Sequence, residues 1–209
     1  MRSLDLKGML KGKSLVEQAV WYRMLSMYDT RRGWGRNEEK FDEYLLTKDE
    51  ALISYPEKFR GWRELDRELT SLRDAIVKDE IVSSLYSYHY LSEVSAEELV
   101  EWAQCLGAIL AVKLKTNQIR RFLGAIVEAE VEVKKGAPED FSKEQAEYLK
   151  VYLAYATGRN REVLPLLMVV DPMITLVRPQ GQEGREDFNQ LVRFVRAVVA
   201  YHKFYGGDE

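Results

Sequence analysis

The sequence predicts an all-α protein, a compact helical bundle, on three observations. Apolar residues recur at spacings of three and four through the long stretches. Turn formers are sparse and irregular, with 5 prolines and 13 glycines in 209 residues. Ser or Thr followed three positions later by Glu or Gln opens three of the stretches. With 46% hydrophobic and 31% charged residues the chain has material for a core and none of the bias of a disordered protein.

The elements follow in order. After a short basic segment with Gly8 and Gly12, Ser14 caps a helix running to about Tyr28, with Leu15, Ala19, Tyr22 and Leu25 on one side. Thr30 to Asn37 breaks it with two glycines and sets Arg31, Arg32 and Arg36 around an exposed-looking Trp34, which suits base stacking, anchoring a loop on the core or docking against a partner subunit. Phe41, Tyr44 and Leu45 suggest a short helix, and Thr47 to Glu50 boxes another that Tyr55-Pro56 ends. From Trp62, Leu65, Leu69, Leu72 and Ile76 form a seam wanting a second helix, within the chain or in another copy. Tyr86 to Tyr90 reads as an aromatic helix end packed on the core. Ser95 to Glu98 boxes a helix through about Val112 with Leu99, Trp102, Leu106, Ile109 and Leu110 inward. Ser142 to Gln145 boxes one ending at Gly158 with Ala146, Leu149, Tyr152 and Leu153 inward. A short helix from Val163 stops at Asp171-Pro172. A loop over 179–184 then leads to a final helix with Phe188, Leu191, Val195, Val198 and His202 inward.

Catalytic and metal chemistry find little to work with. His89 and His202 are the only histidines, Cys105 is the only cysteine, and no phosphate loop, dinucleotide fingerprint or nucleophile elbow is present. Glu128, Glu130 and Glu132 read as a solvated helix face. The expectation is a non-enzyme with no metal and no cofactor. A lone cysteine, a start without the apolar core of a signal peptide and no apolar run of roughly 18–20 residues predict a cytoplasmic protein off the membrane. The formal net charge of -3 does not announce a nucleic-acid binder, but 110–209 carries 15 Lys/Arg and 14 Asp/Glu against 16 and 20 before it.

Within that less acidic part, Leu114 to Gly124 stands out. Thr116 or Asn117 is placed to cap a helix, Ile119, Phe122, Leu123 and Ile126 give it an apolar face, and Arg120 and Arg121 project beside that face. Gly124, one turn on, removes a side chain that would block approach. Alone, these arginines read better as a solvated surface than as a binding edge, since charge on an exposed helix is the default.

Three ordered stretches carry a resemblance. They are Leu114-Lys115-Thr116-Asn117-Gln118-Ile119-Arg120-Arg121-Phe122; then Glu147 to Lys150 followed by Leu153-Ala154-Tyr155-Ala156-Thr157-Gly158-Arg159; and Val198 to Gly207, with Ala200-Tyr201-His202-Lys203-Phe204-Tyr205 at its centre. In that order they resemble the small subunit of the type III-A CRISPR effector complex. The resemblance implies a helical, non-enzymatic protein, present in several copies beside other effector subunits, lining the channel in which guide RNA pairs with single-stranded target RNA. It divides the chain into an N-terminal helical extension of unassigned role over 1–110 and a small-subunit-like helical domain over 111–209. It implies backbone contacts to RNA at Lys115, Asn117, Arg120, Arg121 and Arg159, with Lys113, Lys150, Arg161, Arg193, Arg196 and Lys203 as lesser candidates; Trp34 is a lesser candidate on the stacking reading of its loop alone. Backbone contact is physically sensible where base pairing itself reads the sequence. Two other readings stay open: a helix-turn-helix DNA-binding regulator with Thr116 to Gly124 as recognition helix, and a structural helical adaptor binding through the Trp62 to Ile76 seam.

Overall fold

The structure is a computed structural model that describes residues 5–29, 31–44, 46–59 and 61–207. The all-α expectation holds: among the described residues there is no strand, only isolated bridges pairing Asp29 with Gly33 and Ser142 with Gln180. Seven helices longer than ten residues are described: α1 (Leu15–Ser26), α2 (Trp62–Asp74), α3 (Ala96–Leu110), α4 (Thr116–Lys135), α5 (Glu144–Arg159), α6 (Leu164–Thr175) and α7 (Gly181–Phe204). The hub is α3, which α7 flanks on one side and α1 on another, while α4 packs on α7, α5 on α4 and α6 on α5. One continuous hydrophobic core runs through all of them.

Local chemistry explains the starts. Ser14 Oγ accepts the Glu17 N–H at 3.2 Å and Glu17 accepts the Ser14 N–H at 2.9 Å, and Ser95 with Glu98 repeats the arrangement. Asp49, not Thr47, caps the short helix Glu50–Ile53 by accepting the Ala51 and Leu52 N–H groups. The expected short helix near Phe41 spans Lys40–Glu43; Leu45, assigned to it from sequence, lies outside the described residues, as does Thr30.

The seam on α2 finds its partners inside the chain. Leu65, Leu69, Leu72 and Ile76 are all buried, with α2 against α1 and the short helix Leu6–Met9. Beyond Asp74 the helix widens into π-helical winding over Ala75–Val82, which carries Ile81 into the core and packs on α6. Tyr86 departs from expectation: it is 75% exposed, while Tyr88 is half-buried and donates its hydroxyl to Glu98 at 2.6 Å.

Three further expectations are corrected. The loop over 179–184 is already helix from Gly181, and Gly184 is a packing position and not a breaker: a Cβ there would lie 2.7 Å from the Arg178 carbonyl oxygen and 2.8 Å from the Phe141 ring. Pro172 does not stop α6, which runs on to Thr175. Glu130 is not solvated like Glu128 and Glu132; its carboxylate is buried and accepts from Lys134 at 2.6 Å and Arg196 at 2.5 Å, binding α4 to α7.

The junction before α7 is held by Asp187, which is fully buried. It accepts the Ser92 N–H (2.9 Å), the Arg178 N–H (3.0 Å) and two Arg178 guanidinium hydrogen bonds (2.8 and 3.1 Å). Burial works to raise its carboxyl pKa, but these hydrogen bonds outweigh it and hold the group below the ordinary value. Arg178 also lies over the Tyr90 ring, 4.8 Å from its centroid.

Candidate nucleic-acid interface

The site grows from the start of α4. Lys115 is its N-cap residue, in extended conformation, and its backbone N–H donates to Gln118 Oε1 at 3.3 Å. Thr116, the expected cap, is buried and serves elsewhere, its hydroxyl donating to the Gly207 carbonyl at 2.9 Å and fixing the end of the chain against α4. Ile119, Phe122 and Ile126 are buried as their spacing predicts, and Leu123 is half-buried. Lys115, Asn117, Arg120 and Arg121 are therefore turned outward and exposed. Gly124 is exposed too, with open space where its Cβ would stand, so none of the described residues uses the approach it leaves.

The end of α5 comes to meet this helix start. Asn160 accepts the Glu162 N–H at 3.1 Å and donates from Nδ2 to Gln118 Oε1 at 3.0 Å, tying the two helix ends. Phe122 stacks on Tyr152 between the helices, with centroids 6.1 Å apart. Between them lies a cavity of about 180 Å³ lined by Gln118, Arg121, Phe122, Tyr155, Arg159 and Asn160, among others. Two of the sequence-predicted residues, Arg121 and Arg159, thus share one cavity although 38 positions apart in sequence. Lys115, Asn117 and Arg120 do not line it and extend the polar surface along α4. Tyr155 is 65% exposed, and the Arg159 guanidinium lies 5.8 Å from its ring centroid.

Charge partners separate the candidates further. Among the described residues Lys115, Arg120, Arg121, Arg159, Arg161 and Arg193 form no ion pair, and all six are exposed. Lys113 pairs with Asp66 (3.4 Å), Lys150 with Asp171 (3.4 Å) and Glu147 (3.6 Å), and Arg196 with Glu130, so those three already neutralise protein charge. Arg193 edges a separate surface hollow beside Ser92 and Glu186, and Lys203 is exposed in the last turn of α7. Trp34 is corrected: it is buried, edge-on to Tyr28 and Phe41, and its indole N–H donates to the Ile53 carbonyl at 3.0 Å. It is a loop anchor, while Arg31, Arg32 and Arg36 around it are exposed.

Tyr155, Gln118 and Asn160 are polar or aromatic lining residues to which the sequence alone gave no role. The spacing of Tyr155 and Arg159, one helical turn apart, was the available signal. Among the described residues no three His, Cys, Asp or Glu side chains gather to hold a metal ion, and no helix is long and apolar enough to cross a membrane. Burial pushes the Cys105 thiol well up, away from the reactive thiolate.

Comparison with known proteins agrees with the resemblance. The family model for Csm2 of type III-A matches residues 93–208, taking in α3 as well as the stretch from Leu114. A curated protein named CRISPR system Cms protein Csm2, from Streptococcus thermophilus, is 30% identical over 96 residues, covering 46% of this chain and 76% of the relative. No solved structure matches.

Proposed function

Since this chain belongs to the Csm2 type III-A family, we propose that it is a non-catalytic small subunit of a type III-A CRISPR ribonucleoprotein, holding guide and target RNA by their backbones without reading sequence. The observation that supports this best is the meeting of Arg121 and Arg159 at one cavity, neither paired with an acid, with Lys115, Asn117 and Arg120 continuing the polar surface along α4. Cations left unpaired in a chain of net charge -3 are suited to phosphate, and the free N–H groups at the start of a 20-residue helix add to the positive potential there. Arg161 and Arg193 are secondary contacts on the same argument. Lys113, Lys150 and Arg196 serve the fold through their acidic partners. We assign the helical layer before α3, which lies outside the matched residues 93–208, to contacts with neighbouring effector subunits and further copies of this chain, in the cytoplasm.

The test is a titration of labelled single-stranded RNA of arbitrary sequence at several salt concentrations. The parent is expected to bind weakly, without sequence preference, and with affinity falling steeply as salt rises. Arg121→Glu combined with Arg159→Glu is expected to lose at least about tenfold in affinity and to flatten the log–log salt slope by ~1.4, the share of two phosphate contacts on a single strand. Helical content by circular dichroism should not change, since both side chains are exposed. A double variant that binds as the parent does, with the same slope, refutes the assignment. Tighter binding to one duplex DNA sequence would favour the helix-turn-helix reading instead.

A further inference from the structure

We propose that the α4–α5 cavity is a nucleotide pocket that takes one unpaired base of an RNA chain, set against Tyr155, with its phosphate at Arg121 and Arg159. The inference rests on the backbone-binding reading and goes beyond it, because contact with phosphates alone needs no cavity.

Size limits the occupant. About 180 Å³ is less than the ~300–1,000 Å³ of pockets that enclose a drug-sized ligand, so the cavity suits a single ring system. Its walls have the composition that a base requires. Apolar and aromatic side chains line the interior, Tyr155 offers a largely exposed ring, and the small side chain of Ala156 leaves the space open. Bases stack on such rings whatever their identity.

The polar groups are preset. Asn160 is oriented by the Glu162 N–H on its Oδ1, so its Nδ2 donates to Gln118 Oε1, which also accepts from the Lys115 N–H. The oxygen of Gln118 is thereby occupied and its Nε2 donors remain, with no described partner, at the cavity lining. Every base carries carbonyl or ring-nitrogen acceptors, so a fixed donor pair holds a base without choosing among them. A base joined to a phosphate occurs both in RNA and in free nucleotides. The source assigned is the RNA chain, because Lys115, Asn117 and Arg120 continue along α4 beyond the cavity, where a mononucleotide has nothing left to offer.

The experiment measures binding of the full chain to three fluorescent RNA duplexes: fully paired, carrying one unpaired nucleotide, and carrying an abasic residue at that unpaired position. The unpaired nucleotide is expected to bind about tenfold more tightly than the abasic form, the effect of one base stacked on an aromatic side chain. Tyr155→Ala, at an exposed position, and Ala156→Phe, which fills the cavity, should each remove that difference, and a variant that keeps it refutes the pocket. Adenosine monophosphate should not displace the RNA at concentrations comparable to its own; displacement on equal terms overturns the RNA source. If the parent binds all three duplexes alike and with steep salt dependence, the pocket is refuted and the backbone reading stands. If it binds no RNA at low salt, the backbone reading fails and the pocket with it.

Discussion

Asp187→Ala is expected to lower stability by ~3–5 kcal/mol, the typical result of removing one partner from a buried, hydrogen-bonded ion pair. For a chain of this size that is a fall of about 6–20 °C in Tm. The magnitude follows from what the carboxylate does. It is wholly buried and accepts four hydrogen bonds, from the Ser92 and Arg178 backbone and from the Arg178 guanidinium. Alanine leaves two backbone N–H groups and a guanidinium facing a hole. Asp187→Asn isolates the charge. Because the folded carboxyl has a lowered pKa, its stabilisation is fully present above the unfolded value near ~3.9 and is lost as pH falls through the folded value. In urea titrations the parent and Asp187→Asn should therefore differ at pH 7 and converge in acid below that folded value. An equal gap at both pH values would show that the ionised carboxylate is not what holds the junction.

That junction illustrates what sequence could and could not convey. The cap at Ser14 and the box at Ser95 were legible because donor and acceptor sit three residues apart and nothing distant intervenes. The same pattern at Ser142 makes no box. Ser142 bridges Gln180, the Lys143 N–H goes to the Pro179 carbonyl at 2.9 Å and the Gly181 N–H to the Phe141 carbonyl at 3.1 Å, so a remote segment took over the helix start. Asp187 meets partners 9 and 95 positions away, a distance at which no local pattern marks it. The π-helical winding left a trace that was not used: after Ile76 the next fully buried position is not three or four residues on but Ile81, once Val77 is passed. At the site, Arg121 and Arg159 were legible through motif resemblance, and their convergence was not, since it depends on how α4 crosses α5. Trp34 misled because flanking glycines and arginines describe the loop and not the ring, which packs between Tyr28 and Phe41.

Glycine is where local and tertiary demands diverge most, and a pair of substitutions exposes it. Gly107→Val is expected to cost about 3 kcal/mol, the upper end of what overpacking typically costs, or about 6–12 °C in Tm. Gly124→Ala, in open space on α4, is expected to gain up to ~1 kcal/mol from helix propensity alone. Both residues lie inside helices, and no local pattern marks Gly107 as the one in close contact. At Gly107, however, a Cβ would stand 2.6 Å from the Cβ of Tyr201 and 2.8 Å from the backbone nitrogen of His202, so α3 and α7 touch backbone to backbone. Neither neighbour is a flexible side-chain tip that can swing aside. The helices must part, and the displacement has a defined route. The ring N–H of buried His202 donates to the Leu114 carbonyl at 2.8 Å and Thr116 donates to the Gly207 carbonyl, so α7 holds the very segment from which Arg120 and Arg121 project. Gly107→Val should therefore weaken RNA binding as well as stability, although no side chain at the proposed interface has changed. Calorimetry paired with the RNA titration checks both halves. A Gly107→Val protein that melts with the parent would refute the close crossing, and one that melts early yet binds RNA at full strength while still folded would refute the link from α7 to the start of α4.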